Sequence, residues 1–367
     1  MKMYRAFLIV LAMLVLVAGL EASAAPKAPG GPKPPRVSHT ARQVRPIQLG
    51  TSGGSVVDKA NGYCCSGTLG ALVVDSAGNQ YILSNTHVFA GDSVAGGNGV
   101  VSSVGDPINQ PGFVDVNCGV VATDYVADLA DWAEIVPGGY STVDAALALV
   151  RTGMVDPAGK ILEVGTISAL PRAASVNLSV KKSGRTSGVT TGKVAGLNAT
   201  ISVQYSDECA GASYVSTFTG QILVTPGKFL KGGDSGSLMV ENVGTNPRPV
   251  GLLYAGSSQI AIANPIQSVL DEFGVTMVGV GTAGAASTEG ESTLPPGLAK
   301  ASSVKEKNSL RLLGLKGAVG HAVGLSGAKP VILLLVEKAT PVVVEQAPKE
   351  IEGVAVEVME VGVIMAL

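Results

Sequence analysis

Three side chains of different chemical kinds have settings that suit chemistry: an imidazole at His87, a carboxylate at Asp144 and a hydroxyl at Ser235. An alcohol is a poor nucleophile until a base takes its proton, and an imidazole does this best when a carboxylate fixes its tautomer. His87 lies in Leu83-Ser84-Asn85-Thr86-His87-Val88-Phe89, an apolar strand ending in a polar turn, where a base is held rigidly yet faces a cleft. The same setting would also suit a structural histidine. His39, in a Pro-rich stretch, reads as solvated, and His321, on a strand far from any nucleophile motif, reads as structural. Asp144 opens the apolar run Asp144-Ala145-Ala146-Leu147, so its carboxylate should be partly buried; Asp124, Asp128 and Asp131 are rivals in a polar segment that reads as loop. Ser235 sits in Lys231-Gly232-Gly233-Asp234-Ser235-Gly236-Ser237-Leu238. Glycines there let the backbone turn tightly, so that the hydroxyl projects and nearby N–H groups converge. An ordinary Gly-Asp-Ser turn is the alternative.

The elements that must hold these groups read as strands. From about 51 to 281, short apolar runs such as Thr68–Val74, Tyr81–Ser84, Ala145–Val150, Val194–Val203 and Pro249–Leu253 are broken by Gly, Asn and Asp. With 48 glycines and few helix-length periods, this predicts an all-β barrel or sandwich. One helix is expected at Pro265–Phe273. Residues 282–301 begin small and polar, as a linker, and 302–367 read as a separate small α+β unit. Its expected elements are a helix near 304–313, strands near 319–325, 331–336 and 354–363, and a short helix opened by Thr340-Pro341.

Residues 1–24 have an export-signal layout: Lys2 and Arg5, an apolar run from Ala6 to Leu20, then Ala22-Ser23-Ala24. The run is too short to span a bilayer, so no stable membrane insertion is expected after cleavage, and the location is secreted or periplasmic. Residues 25–50 read as a Pro-rich tether. The 367 residues are 46% hydrophobic, enough for a sizeable core, and the net charge of −2 with scattered basic residues gives no sign of a phosphate-neutralising surface, so no nucleic-acid partner is expected. Cys64, Cys65, Cys118 and Cys209 fit an oxidising compartment; adjacent Cys64 and Cys65 would strain a mutual bond, so one bridge from each to Cys118 and Cys209 is favoured. Without Cys-x-x-Cys spacing or a His near two cysteines in sequence, no metal is expected.

The order His, Asp, Ser, at intervals of 57 and 91 residues, is that of one class of hydrolases. Through Ser84-Asn85-Thr86-His87, Asp144-Ala145-Ala146-Leu147 and Gly233-Asp234-Ser235-Gly236, residues 51–281 resemble the trypsin-like, chymotrypsin-fold serine peptidases. Lys182-Ser183-Gly184-Arg185-Thr186-Ser187-Gly188 resembles a segment of the bacterial, α-lytic type. The resemblance implies a double β-barrel, a protein or peptide substrate, no cofactor, and an oxyanion hole from the N–H groups of Gly233 and Ser235. It also implies a buried ion pair between Arg185 and Asp234, and a substrate-pairing strand at Tyr254-Ala255-Gly256. Phe229 stands where trypsin-like enzymes carry the Asp that binds Lys or Arg, so an apolar or small side chain is the expected preference; Phe229 equally suits the core. Val88 replaces a cysteine common in animal relatives. Tyr254 replaces the serine that supports the triad carboxylate, which leaves the surroundings of Asp144 open. Residues 302–367 resemble a small accessory domain found beside such peptidases, with a regulatory, substrate-docking or purely packing role. An inert binding protein on the same fold and an esterase using the same triad are the competing functions, and nothing here fixes the oligomeric state.

Overall fold

A computed structural model of the chain describes residues 37–60, 63–91, 100–119, 121–207, 211–281 and 294–367. The export signal, most of the linker and Cys209 lie outside these residues. The chain first lays down β1 (Thr51–Ser55), a small hairpin of β2 (Lys59–Ala60) and β3 (Tyr63–Cys64), β4 (Gly67–Leu69), β5 (Ala71–Val74) and β6 (Gln80–Ser84). The one-turn helix α1 (Thr86–Phe89) follows, then β7 (Pro107–Asn109), β8 (Tyr125–Trp132), β9 (Tyr140–Ser141) and β10 (Ala146–Val150). Next come β11 (Ser179–Gly184), β12 (Gly188–Tyr205), β13 (Tyr214–Thr225), β14 (Leu238–Glu241), β15 (Pro249–Gly256), β16 (Ala261–Pro265), α2 (Ile266–Phe273) and β17 (Thr276–Met277). The last part holds α3 (Pro296–Lys307), α4 (Ser309–Leu313), β18 (Ala318–Ser326), β19 (Lys329–Val336), α5 (Pro341–Gln346), β20 (Glu350–Ile351), β21 (Val354–Glu360) and β22 (Met365–Ala366).

Short runs of Val, Leu and Ile between glycine turns bury one face when they pair, and two curled sheets result. The first has eight strands in the order β17-β5-β6-β10-β8-β7-β1-β4 around a core that includes Leu72, Leu83, Phe89 and Val126. The second has twelve and contains β11 to β16. Together they form the chymotrypsin-like double β-barrel expected from the sequence.

Four expectations need correction. Residues 37–50 are not tether: Ile47 and Leu49 are fully buried and bridge to Val155 and Ile161. His39 is buried rather than solvated, with Nδ1 2.6 Å from the Gly50 carbonyl and Nε2 2.8 Å from Glu163. The segment 125–132 is a strand, β8, not a loop. Its neighbours explain this, since β10 and β7 pair with it on either side and Val126, Ala127 and Leu129 pack into the core of that sheet.

The fourth concerns the C-terminal part, which is not set apart. β18 pairs antiparallel with β12, as Leu197 with Val323 and Thr200 with His321, so β18, β19, β21 and β20 continue the second sheet. One apolar cluster holds Val180 and Phe229 together with Leu298 and Ile332. The described residues, 37–367, form a single compact unit. The first helix there begins at Pro296, inside the stretch read as linker. The short helix at 341 starts as expected, with the Thr340 hydroxyl accepting from the Val343 N–H at 3.3 Å.

Candidate active site

β6 and the single turn of α1 hold His87. Thr86 Oγ1 lies 2.9 Å from the carbonyls of both Ala133 and Ala145, and Asn85 Nδ2 donates to the Asp144 carbonyl at 2.6 Å. His87 is thereby fixed against the entry to β10, where Asp144 is fully buried. His87 Nδ1 is 2.6 Å from Asp144 Oδ2, and the His87 backbone N–H donates to Oδ1 at 3.3 Å. Asn264, on β16, donates from Nδ2 to the Asp144 carbonyl at 3.0 Å and accepts from the Asp144 N–H at 3.1 Å. The rivals are engaged elsewhere: Asp124 with Arg42 and Asp128 with Arg151, each at 2.6 Å, while Asp131 accepts from the Trp132 N–H.

A buried carboxylate needs donors, and with Tyr254 standing on β15 in place of the family's serine, the hydroxyl comes from another strand. Tyr205, at the end of β12, donates to Asp144 Oδ2 at 2.8 Å. Burial, and next the Asp144 charge, push the Tyr205 hydroxyl well above its ordinary pKa, so it stays a donor. Its position was legible in alternation, because Ile201, Val203 and Tyr205 share the inward face of β12. Tyr254 is also fully buried, but its hydroxyl has no partner among the described residues; its ring packs 4.9 Å from Phe218.

Ser235 lies at the turn before β14, tied to the first sheet by the Thr68 N–H, which donates to the Ser235 carbonyl at 2.8 Å. Ser235 Oγ donates to the Tyr254 carbonyl at 3.0 Å, and no hydrogen bond joins it to His87 Nε2 among the described residues. Gly233 adopts φ 86°, a conformation costly for a side chain, and a Cβ there would collide with Arg185 and Thr186. The N–H groups of Gly233 and Ser235 have no protein acceptor among the described residues, as an anion site requires.

The ion pair at Asp234 is not the expected one. Lys182 Nζ sits 3.0 Å from Asp234 Oδ2 with both side chains fully buried, and Asp234 also accepts from the N–H groups of Thr186, Ser187 and Lys231. Burial lowers the pKa of Lys182, with Asp234 opposing the shift. Arg185 instead grips Asp115 through Nε and Nη2, both at 2.7 Å. Geometry explains the exchange: Val180, Lys182 and Gly184 alternate inward along β11, whereas Arg185 already belongs to the turn.

Phe229 is fully buried in the core of the second sheet and does not line the cleft. The cleft beside the imidazole encloses about 430 Å³ and is lined by Ser66, His87, Gly232, Gly233 and Leu367 among others. Cys64 bonds Cys118, with Cα atoms 5.8 Å apart. Cys65 is disulfide-bonded as well. No helix among the described residues is long and apolar enough to cross a membrane, and no described cluster of ligating side chains suits a metal.

Two curled sheets with an imidazole–carboxylate pair on one and a Gly-Asp-Ser-Gly turn on the other define the chymotrypsin-like class of fold. A family model described as the Nal1 C-terminal domain matches residues 136–268, a stretch that carries Asp144 and Ser235 but not His87. No curated protein matches the chain. Among solved structures it is similar to Protease A of Thermobifida fusca, at 19% identity and TM-score 0.41 over 64% of this chain and 98% of that one. It is similar also to the Nocardiopsis protease NAPase, at 16% identity and TM-score 0.39 over 62% and 97% of the two chains. A chymotrypsin of Cellulomonas bogoriensis matches at 19% and 0.39 over 64% and 98%.

Proposed function

We propose that the protein is an exported serine endopeptidase that cleaves peptide bonds through an acyl-enzyme. The observation that carries this reading is the 2.6 Å contact between His87 Nδ1 and a fully buried Asp144 carboxylate, beside the glycine-flanked turn of Ser235. Asp144 holds the imidazole with Nε2 toward the cleft. Ser235 Oγ turns from the Tyr254 carbonyl toward Nε2, gives up its proton there, and attacks the substrate carbonyl carbon. Charge forming on the carbonyl oxygen is met by the N–H groups of Gly233 and Ser235, worth about 2.7–4 kcal/mol per donor in comparable sites. The C–N bond then breaks, the proton on His87 passes to the departing amine, and water activated by the same imidazole releases the acid. Export fits the N-terminal signal layout and the Cys64–Cys118 disulfide.

Incubation with a fluorophosphonate, which phosphonylates only an activated serine, tests the reading. Labelling at Ser235 that is lost in Ser235→Ala and falls at least a hundredfold in His87→Ala is the expected result. Absence of labelling from the full chain and from variants in which the cleft is opened would replace the enzyme with a binding protein on the same fold. Comparing amide with ester substrates separates the peptidase from an esterase.

A further inference from the structure

Residues 365–367 line the cleft beside the His87 imidazole. β22 adds to the C-terminal end of β15, past the residues that pair with β14, with Met365 opposite Gly256 and Ala366 opposite Ala255 in antiparallel register. The Leu367 N–H donates to the Tyr254 carbonyl at 3.2 Å, the same carbonyl that holds Ser235 Oγ. The Leu367 carbonyl oxygen is 3.4 Å from His87 Nε2. The Leu367 side chain reaches the space beside Gly256, where an added Cβ would come within 3.3 Å of its Cδ1. On its other side the segment is locked to β12, Gln204 pairing with Met365 and the Gln204 N–H donating to the Ile364 carbonyl at 2.9 Å. Buried Val361 and Ile364 anchor it from behind. This is β-augmentation: main-chain bonds supply affinity, and the pocket for the final side chain supplies selectivity.

We infer that residues 365–367 are the resident occupant of the substrate groove, and that the groove selects an extended peptide whose carbonyl-donating residue is leucine-like, preceded by a small residue. The inference rests on the peptidase reading for its catalytic consequence, since a strand seated there competes with substrate. Leucine is the fitting class for the position of Leu367. Gly256 leaves room beside the strand for a branched side chain, and Leu367 packs against the apolar cluster that contains Phe229. The effective concentration of a tethered segment is of millimolar order, enough to exclude dilute peptides.

The test uses the full-length chain beside Leu367→Asp and Met365→Pro, which disrupt the seat through the side chain and through the backbone respectively. Thermal melting confirms that each variant is folded. A fluorescein-labelled peptide Val-Ile-Met-Ala-Leu, followed by anisotropy, is expected to bind the variants at least tenfold more tightly than the wild-type chain, and the same peptide ending in Asp or Lys is expected to bind neither. Fluorophosphonate labelling of Ser235 should be at least tenfold faster in the variants. Equal binding by wild type and variants, or indifference to the final residue, overturns the inference. Peptide binding that changes as expected while no chain reacts with fluorophosphonate leaves the groove assignment standing and removes the peptidase reading instead.

Discussion

At the scale of single residues, the site divides into groups that motifs reveal and groups revealed by the face of a strand that they occupy. His87, Asp144 and Ser235 stand in local patterns that point to the proposed roles, because a base, its orienting acid and a turn-borne hydroxyl each need particular neighbours. The structure brings the first two together as expected. Lys182 and Tyr205 carry no such pattern, and their importance follows from which face of a strand they occupy. Arg185 was misplaced because carrying over a motif transfers residue types but not the alternation of β11. The consequence is measurable. Lys182→Met strands a fully buried Asp234 carboxylate and should cost about 3–5 kcal/mol, whereas Arg185→Ala leaves Asp115 with partial solvent access and the Ser52 hydroxyl as donor, and should cost clearly less. Urea midpoints of the two variants decide the order; a reversed order would restore Arg185 as the principal partner.

At the scale of elements, strand positions were legible because apolar runs and glycine turns mark them, but the pairing partners were not. Nothing in the sequence of β18 says that its neighbour is β12 rather than a strand of its own small sheet, since partner choice depends on contacts more than a hundred residues apart. Loop constraint is likewise a matter of elements. The Cys64–Cys118 bond closes a loop of 54 residues around β4 to β7, the part of the first sheet that leads into α1 and His87. Removing the cross-link enlarges the unfolded ensemble, and Cys64→Ser combined with Cys118→Ser should lose about 4 kcal/mol, seen as a lower urea midpoint under oxidising conditions. An unchanged midpoint would mean that residual structure already closes the loop in the unfolded chain.

At the scale of the whole molecule, the added strands are part of the fold and titrate with it. His321 on β18 is buried with Nε2 2.8 Å from Ser309 Oγ, and Nδ1 has no partner among the described residues. Burial, and secondarily Lys305, lower its pKa to about 3. In the unfolded chain an imidazole protonates near pH 6.5, so between roughly 6.5 and 3 the unfolded state binds the extra proton. The contribution is therefore complete above pH 6.5 and is lost as pH falls, by at most about 1.4 kcal/mol per pH unit. His321→Gln should flatten the dependence of the urea midpoint between pH 7 and 4; an unaltered slope would place the titration elsewhere.

The sheet that β12 and β18 share has a further consequence for the integrity of the polypeptide. Hydrogen bonds and a common apolar cluster, rather than the peptide backbone across 282–293, hold the two parts side by side. A protease that severed that stretch would yield two fragments visible on a denaturing gel yet migrating together in native form, with the groove still closed by the smaller one.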